Sequence, residues 1–156
     1  MSRSGRTLLL SVAATALFAG PGTAQGFLNL RTGCQDSAST QAAMSVCTET
    51  DLLAARKRLN QLLAELRTTL PALHYSGLDS AQVAWRLYTQ TECAWEATAY
   101  RGGSLEAMMH SSCLEAATWH RVRELAPLLC GLDRAEPRCR VAEPYLRLAR
   151  NALTRP

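Results

Sequence analysis

Two cysteines, Cys93 and Cys113, lie ten residues on either side of Gly103, and this spacing strongly constrains the fold. Neither Gly nor Pro occurs in the 24 residues before Gly102 or in the 23 residues after Gly103, so both segments are predicted to be helices. If they fold back on each other at the glycine pair, the two cysteines come level. Neighbouring helix axes are about 8–10 Å apart, and a disulfide needs a Cα separation of about 4.4–6.8 Å. The pattern therefore predicts an antiparallel hairpin joined by Cys93–Cys113.

Two other interpretations of these cysteines stay open. Zinc could be held by Cys93, His110, Cys113 and His120, although only His110-x-x-Cys113 resembles half of a familiar ligand spacing. A nucleophilic cysteine would need a neighbouring base. We expect neither a metal nor another cofactor, because the chain also begins like an exported protein, in which paired cysteines are oxidised.

The first 24 residues have the pattern of a signal peptide. Arg3 and Arg6 precede an apolar run over residues 8–19, and the small residues Gly22 and Ala24 follow it. The run is shorter than the about 20 apolar residues that span a bilayer, which disfavours a retained membrane anchor. We expect cleavage after Ala24 and a periplasmic or secreted mature protein.

Export changes the meaning of the whole cysteine set. Six cysteines in a small exported domain are typical of a disulfide framework, although they allow 15 pairings and the sequence cannot choose among them. Cys34 can reach Cys47 if its segment runs back beside the first helix. The pairs we expect are Cys34–Cys47, Cys93–Cys113 and Cys130–Cys139.

Composition favours an all-α fold, a small antiparallel bundle of three main helices plus a short C-terminal helix. The chain lacks Ile and is rich in Ala, Leu and Arg, whereas strands favour β-branched residues. We predict helices over about 40–70, from Asp79 to the glycine pair, from Ser104, and over about 141–152, with a turn at 71–77. Asp79 and Gln82 form a predicted capping box, with Leu78 and Val83 as a hydrophobic staple. We expect a signal peptide at 1–24, a helical domain at 25–133 and a basic helix or tail at 134–156.

The apolar residues recur at helical spacing and predict which faces are buried. In the first helix they are Leu52, Ala55, Leu59, Leu62, Leu66 and Leu70; in the second they are Ala81, Trp85, Tyr88, Trp95 and Ala99; and in the third they are Leu114, Ala117, Leu125 and Leu128.

Arg121 lies among the apolar positions of the third helix, level with Trp85 across the hairpin. A buried charge is costly unless it is partnered. We therefore predict that its guanidinium stacks on Trp85 and donates to backbone carbonyls or to an acid of the first helix. The alternatives are an edge position with only its stem covered, or a residue that contacts a partner.

Charge excludes a nucleic-acid surface. Without Arg3 and Arg6 the chain has 15 basic and 13 acidic residues, a net charge of +2. The excess lies in residues 134–156, where no dense basic run with interleaved aromatics occurs.

Five segments carry a resemblance to a known family: TQAAMSVC (40–47), RLNQLL (58–63), LDSAQVAWRLYTQTEC (78–93), GGS (102–104) and CLEAATWHRVREL (113–125). In this order they resemble the N-terminal domain of the LprI-type lysozyme inhibitors, exported bacterial helical proteins that are mostly uncharacterised. The resemblance covers about residues 34–129. It implies a disulfide-linked helical bundle without catalytic residues and, in some relatives, inhibition of lysozyme. The motif positions expected to have structural roles are Ala81, Gln82, Trp85, Tyr88, Gly102, Gly103, Ser104, Leu114, Thr118 and Arg121.

These observations predict an exported binding protein of the cell envelope, not an enzyme, and the resemblance implies that its protein partner is a lysozyme. The sequence has no Gly-rich phosphate loop and no nucleophile–base arrangement. Tyr100 and Arg101, at the hairpin turn, are the candidate partner contacts, since a lysozyme cleft carries two carboxyl groups. The alternative is a helical adaptor that binds another envelope protein without inhibiting lysozyme. The oligomeric state is not predicted.

Overall fold

The fold is all-α, as predicted, in a computed structural model that describes residues 34, 37–131 and 140–154. Within these residues lie four α-helices and no strand: α1 (Gln41–Thr69), α2 (Ala72–Ala97), α3 (Leu105–Leu125) and α4 (Glu143–Leu153). Short 3-10 turns, Thr98–Tyr100 and Ala126–Cys130, follow α2 and α3. The expected signal peptide lies outside the described residues. None of the helices in this part of the chain is both long and apolar enough to cross a membrane.

Helix α1 has the boundaries and the buried face that its leucines predict. The Thr40 hydroxyl accepts a hydrogen bond from the Ala43 amide at 3.2 Å and so caps the first turn. The helix ends at Leu70, which Pro71 restricts to extended backbone. The residues that α1 buries are Cys47, Thr48, Leu52, Ala55, Leu59, Leu62 and Leu66.

Helix α2 begins earlier than predicted, so the turn at 71–77 and the cap at Asp79 are wrong. The Pro71 carbonyl accepts from the amides of His74 and Tyr75 at 2.9 and 3.0 Å, and the helix starts at once. Gly77 lies inside this helix. The helix tolerates it because a mid-helix glycine costs only about 1 kcal/mol relative to alanine. The predicted hydrophobic staple is absent as well, since Val83 is 55% exposed.

The three long helices run up, down and up. Helices α2 and α3 form the predicted hairpin, and the Cys93–Cys113 disulfide joins them at a Cα separation of 5.5 Å. Helix α1 packs along α3 in the same direction, with the Gln41 amide against the Met108 sulfur at 3.4 Å near both N-terminal ends. Helix α2 packs mainly on α3 and meets α1 only sparsely, so a groove opens between α1 and α2.

The main core lies between α1, α3 and α4. Leu62, Leu66 and Val122 are fully buried there, and Ala149 of α4 packs against the same cluster. A smaller cluster surrounds the hairpin disulfide and contains Leu52, Cys93, Cys113 and Leu114.

The other described cysteines, Cys34, Cys47 and Cys130, are disulfide-bonded as well. Cys34 and Cys47 are bonded at a Cα separation of 5.6 Å, which holds the segment before α1 against that helix. Cys130 is also disulfide-bonded. Its expected partner, Cys139, lies outside the described residues, so the Cys130–Cys139 pair stays a prediction.

The predicted core face of α2 is wrong except at Trp85, which is partly buried and packs against the main cluster. Tyr88 and Trp95 are 63% and 67% exposed, and Ala81 and Ala99 are exposed as well. The inward face consists instead of Gln82, Thr89, Cys93 and Ala97. The disulfide explains this rotation, since Cys93 has to face Cys113 and brings inward the residues four and eleven positions away.

Candidate protein-binding surface

The turn between α2 and α3 is a tightly bonded loop. The Gly103 amide donates to the Tyr100 carbonyl at 3.0 Å, and the Gly102 amide donates to the Glu106 carboxylate at 3.0 Å. Gly102 has a φ of 77°, a conformation that favours glycine. At Gly103 a side chain would meet the Tyr100 carbonyl oxygen at 3.2 Å. The turn therefore requires glycine at position 102, and a side chain at position 103 would need the Tyr100 carbonyl to shift by a few tenths of an ångström.

We call residues 98–104, together with Trp95 and Met109, the hairpin tip. Trp95, Tyr100 and Met109 line a shallow cleft of about 400 Å³. Arg101 and Ser104 are exposed beside it, and the Ser104 side chain does not cap α3. Arg101 has no ion pair with any described residue. The tip thus presents two exposed aromatic side chains and an arginine without an ion pair to any described residue, with the carboxylates of Glu96 and Glu106 in the same region.

Trp95 is the tip residue that sequence reasoning missed, because the apolar stripe assigned it to the core. The signal that could have found it is its distance from Cys93. Two positions along a helix correspond to a rotation of about 200°, so an inward cysteine places Trp95 outward.

The outward face of α2 is uncharged along most of its length. Its large exposed apolar side chains are Leu73, Val83, Leu87, Tyr88 and Trp95. Small residues such as Ser80, Ala84 and Thr91 lie between them and are exposed too. A solvent-facing helix surface is ordinarily charged, so this face is suited to contact with another molecule.

Arg121 lies on the other side of α2, where α2 meets α3. Its guanidinium carbon is 5.7 Å from the centre of the Trp85 ring, so the predicted stack is present. The predicted hydrogen-bond partners are wrong. Nε donates to the Gln82 side-chain oxygen at 3.0 Å, and a terminal nitrogen donates to Glu124 of the same helix at 2.8 Å. Both acceptors lie on the two helices of the hairpin, so the Arg121 guanidinium needs no acid from α1 as a partner.

The remaining motif positions have different environments. Leu114 and Thr118 are buried on α3, and the Thr118 hydroxyl donates to the Leu114 carbonyl at 2.6 Å. Ala81 and Tyr88 are exposed on α2. The motif therefore combines residues that pack the hairpin with residues that remain on the surface.

No part of the described chain brings together three His, Cys, Asp or Glu side chains that could hold a metal ion. The cysteines of the zinc alternative are bonded to each other. His74 lies exposed on α2, not in a turn, and His110 lies on α3. Burial and the positive charge of Arg123 lower the pKa of His120, which keeps this ring neutral to lower pH.

The ionisation of Tyr145 of α4 is strongly perturbed. Burial, a hydrogen bond to Glu65 and the negative charge of that carboxylate raise the pKa of Tyr145 to about 12, while Arg58 opposes the shift. The hydroxyl donates to Glu65 at 2.6 Å. This bond joins α4 to α1 and has no evident link to binding.

The fold and these surfaces define a class of small helical proteins that are held by disulfides and expose apolar side chains for contact with another molecule. Comparison with known families gives the class its name. The model of the family Lysozyme inhibitor LprI matches residues 33–125, and this chain belongs to that family. The resemblance found in the sequence is thereby confirmed.

A curated relative adds no activity. An uncharacterised protein of Rhizobium meliloti (strain 1021) is 32% identical over 105 residues, which cover 59% of this chain and 76% of the relative. No solved structure matches the chain.

Proposed function

We propose that the mature protein acts in the periplasm or outside the cell, where it binds a lysozyme through the hairpin tip and inhibits it. The proposal is supported by membership in a family of lysozyme inhibitors together with the exposed Arg101, which follows Tyr100 at the hairpin tip to which Trp95 also belongs. A lysozyme cleft is concave and carries two carboxyl groups. A narrow loop with one unpaired guanidinium and adjacent aromatic side chains is complementary to it in shape and charge.

The mechanism is steric and electrostatic and needs no chemistry from this chain. Arg101 forms a charge-assisted hydrogen bond to a cleft carboxylate, which such planar donors bind well. Tyr100 and Trp95 pack on the rim of the cleft and exclude the substrate. The internal hydrogen bonds of the turn hold the loop in shape before binding, which lowers the entropic cost of association.

The test is inhibition of lysozymes of several classes by the purified mature protein, with cell-wall lysis as the readout. We expect Arg101→Gln to weaken inhibition by at least about tenfold, since hydrogen bonds to charged groups contribute roughly 1.5–3 kcal/mol. Arg147→Gln on α4, which removes the same charge at another exposed position, is the control. Inhibition that is equal in the Arg101→Gln variant and the parent would overturn the role of the tip.

A second candidate function is a helical adaptor that binds another envelope protein without inhibiting lysozyme. The uncharged outward face of α2 favours the adaptor function. This face extends along the helix beyond the hairpin tip, so it offers a larger surface for contact with a protein. Affinity capture from an envelope extract distinguishes the two. A stable partner that is lost in a Leu87→Ser variant, with no effect on any lysozyme, would support the adaptor.

A further inference from the structure

The groove between α1 and α2 belongs neither to the hairpin tip nor to the outward face of α2. It has a volume of about 310 Å³, which lies at the lower end of the range of ordinary small-molecule sites. Its floor is formed by Leu114 and Thr118 of α3. It exists because α2 packs mainly on α3 and barely meets α1.

The charges that line this groove all have one sign. Arg56 projects from α1 and Arg86 from α2, and the lining contains no acidic residue. Among the described residues neither arginine takes part in an ion pair. Asn60 and Gln90 add neutral side-chain amides to the two walls. The groove therefore attracts anions and offers hydrogen bonds to neutral polar atoms.

Gln82 supplies a side-chain donor at the same place. Its side chain is 2% exposed, lines the groove, and accepts from Arg121 Nε at 3.0 Å through its oxygen. Because an arginine Nε–H can only donate, this bond fixes which end of the amide is the oxygen. The Nε2 group is left as a donor, and none of the residues that the structure describes accepts from it. Arg121, which stacks on Trp85, thus holds the amide in a single orientation.

We propose that this groove is a binding site for a small ligand that carries a carboxylate. Two guanidinium groups and one oriented amide donor match the oxygens of a carboxylate, which Arg recognises by paired hydrogen bonds. Asn60 and Gln90 then contact the neutral remainder of the ligand. The volume limits that ligand to about the size of a monosaccharide or a dipeptide, so a sugar acid and an acidic peptide fragment are the two sources of the same chemistry.

The experiment follows the side-chain amide signals of the full mature protein by nitrogen–proton NMR during titration. The probes are two matched pairs, glucuronate with glucuronamide and Ac-Glu-NH2 with Ac-Gln-NH2. We expect at least one acid to shift the Gln82 amide signal saturably, with its neutral analogue at least about tenfold weaker. Which acid binds identifies the source.

Two variants separate recognition from folding. Gln82→Glu keeps an acceptor for Arg121 and the shape of the side chain but replaces the donor with a negative oxygen, so melting is unchanged or raised while carboxylate binding, followed by the backbone amides of the groove, is lost. The double change Arg56→Gln and Arg86→Gln weakens binding at least about tenfold, and Arg147→Gln does not. If no acid shifts the signal, if acid and amide bind equally, or if both variants bind like the parent, the site does not exist. Lysozyme inhibition is measured separately and does not enter this result.

Discussion

At the residue scale, Arg121 shows how a charge is kept within a packed hairpin. Its side chain is 10% exposed, and its groups have separate partners. The flat face lies over Trp85, Nε donates to Gln82, and a terminal nitrogen donates to Glu124. These contacts offset the loss of water around the guanidinium. They also orient the Gln82 amide, so a residue that packs the hairpin determines the chemistry of the groove.

We expect Arg121→Lys to lower the melting temperature. Lysine keeps the charge but has neither the planar face that stacks on Trp85 nor the Nε donor that bonds Gln82. A cation–π contact contributes roughly 0.5–2 kcal/mol, so the loss in the free energy of unfolding is about 1 kcal/mol. Thermal unfolding followed by circular dichroism measures it, with Arg147→Lys as the exposed control. Equal melting of the Arg121→Lys variant and the parent would mean that the planar fork does not stabilise the hairpin.

At the element scale, the helices differ in how well the sequence predicts them. The leucines of α1 indicate its inward face, because apolar burial determines its packing. In α2 the same reasoning failed, since the helix places Gln82 and Thr89 inward and Trp95 outward. Its rotation is determined by a covalent bond and by a polar contact to Arg121, and a hydrophobic pattern contains neither. The groove was likewise not predictable, because it depends on how far α2 stays from α1.

Because α2 buries little apolar surface, we expect its attachment to depend on the hairpin disulfide. On the chain-entropy model, removal of a crosslink across about 20 residues costs roughly 3 kcal/mol. In the double variant Cys93→Ser and Cys113→Ser, amide hydrogen exchange should accelerate in α2 more than in the leucine-packed part of α1. The matched control, Cys34→Ser with Cys47→Ser, should affect mainly the first turns of α1. Equal loss of protection in α1 and α2 would contradict the prediction that α2 depends on the hairpin disulfide more than α1 does.

At the scale of the whole molecule, the core extends beyond the part of the chain that the family model matches. The match ends at residue 125, whereas Ala142, Tyr145, Ala149 and Ala152 belong to the main buried cluster. Residues 134–156 were predicted to form a basic helix or tail, and Arg147 and Arg150 of α4 are exposed. The opposite face of α4 belongs to the core because its alanines pack against α1 and α3, and this packing is visible only in the structure. Helix α4 is thus part of what stabilises the bundle.

Ala149 provides the test of this arrangement. It is completely buried in the main cluster, where a larger side chain has no room. Ala149→Leu should therefore force neighbouring side chains or α4 itself to move, with a loss of about 1–3 kcal/mol in the free energy of unfolding. Asn151→Leu adds a leucine to the exposed side of the same helix and should change stability by no more than about 0.5 kcal/mol. Urea unfolding measures both, and it separates a docked helix from a detached one. If α4 were only a solvated tail, Ala149→Leu would unfold at the same urea concentration as Asn151→Leu.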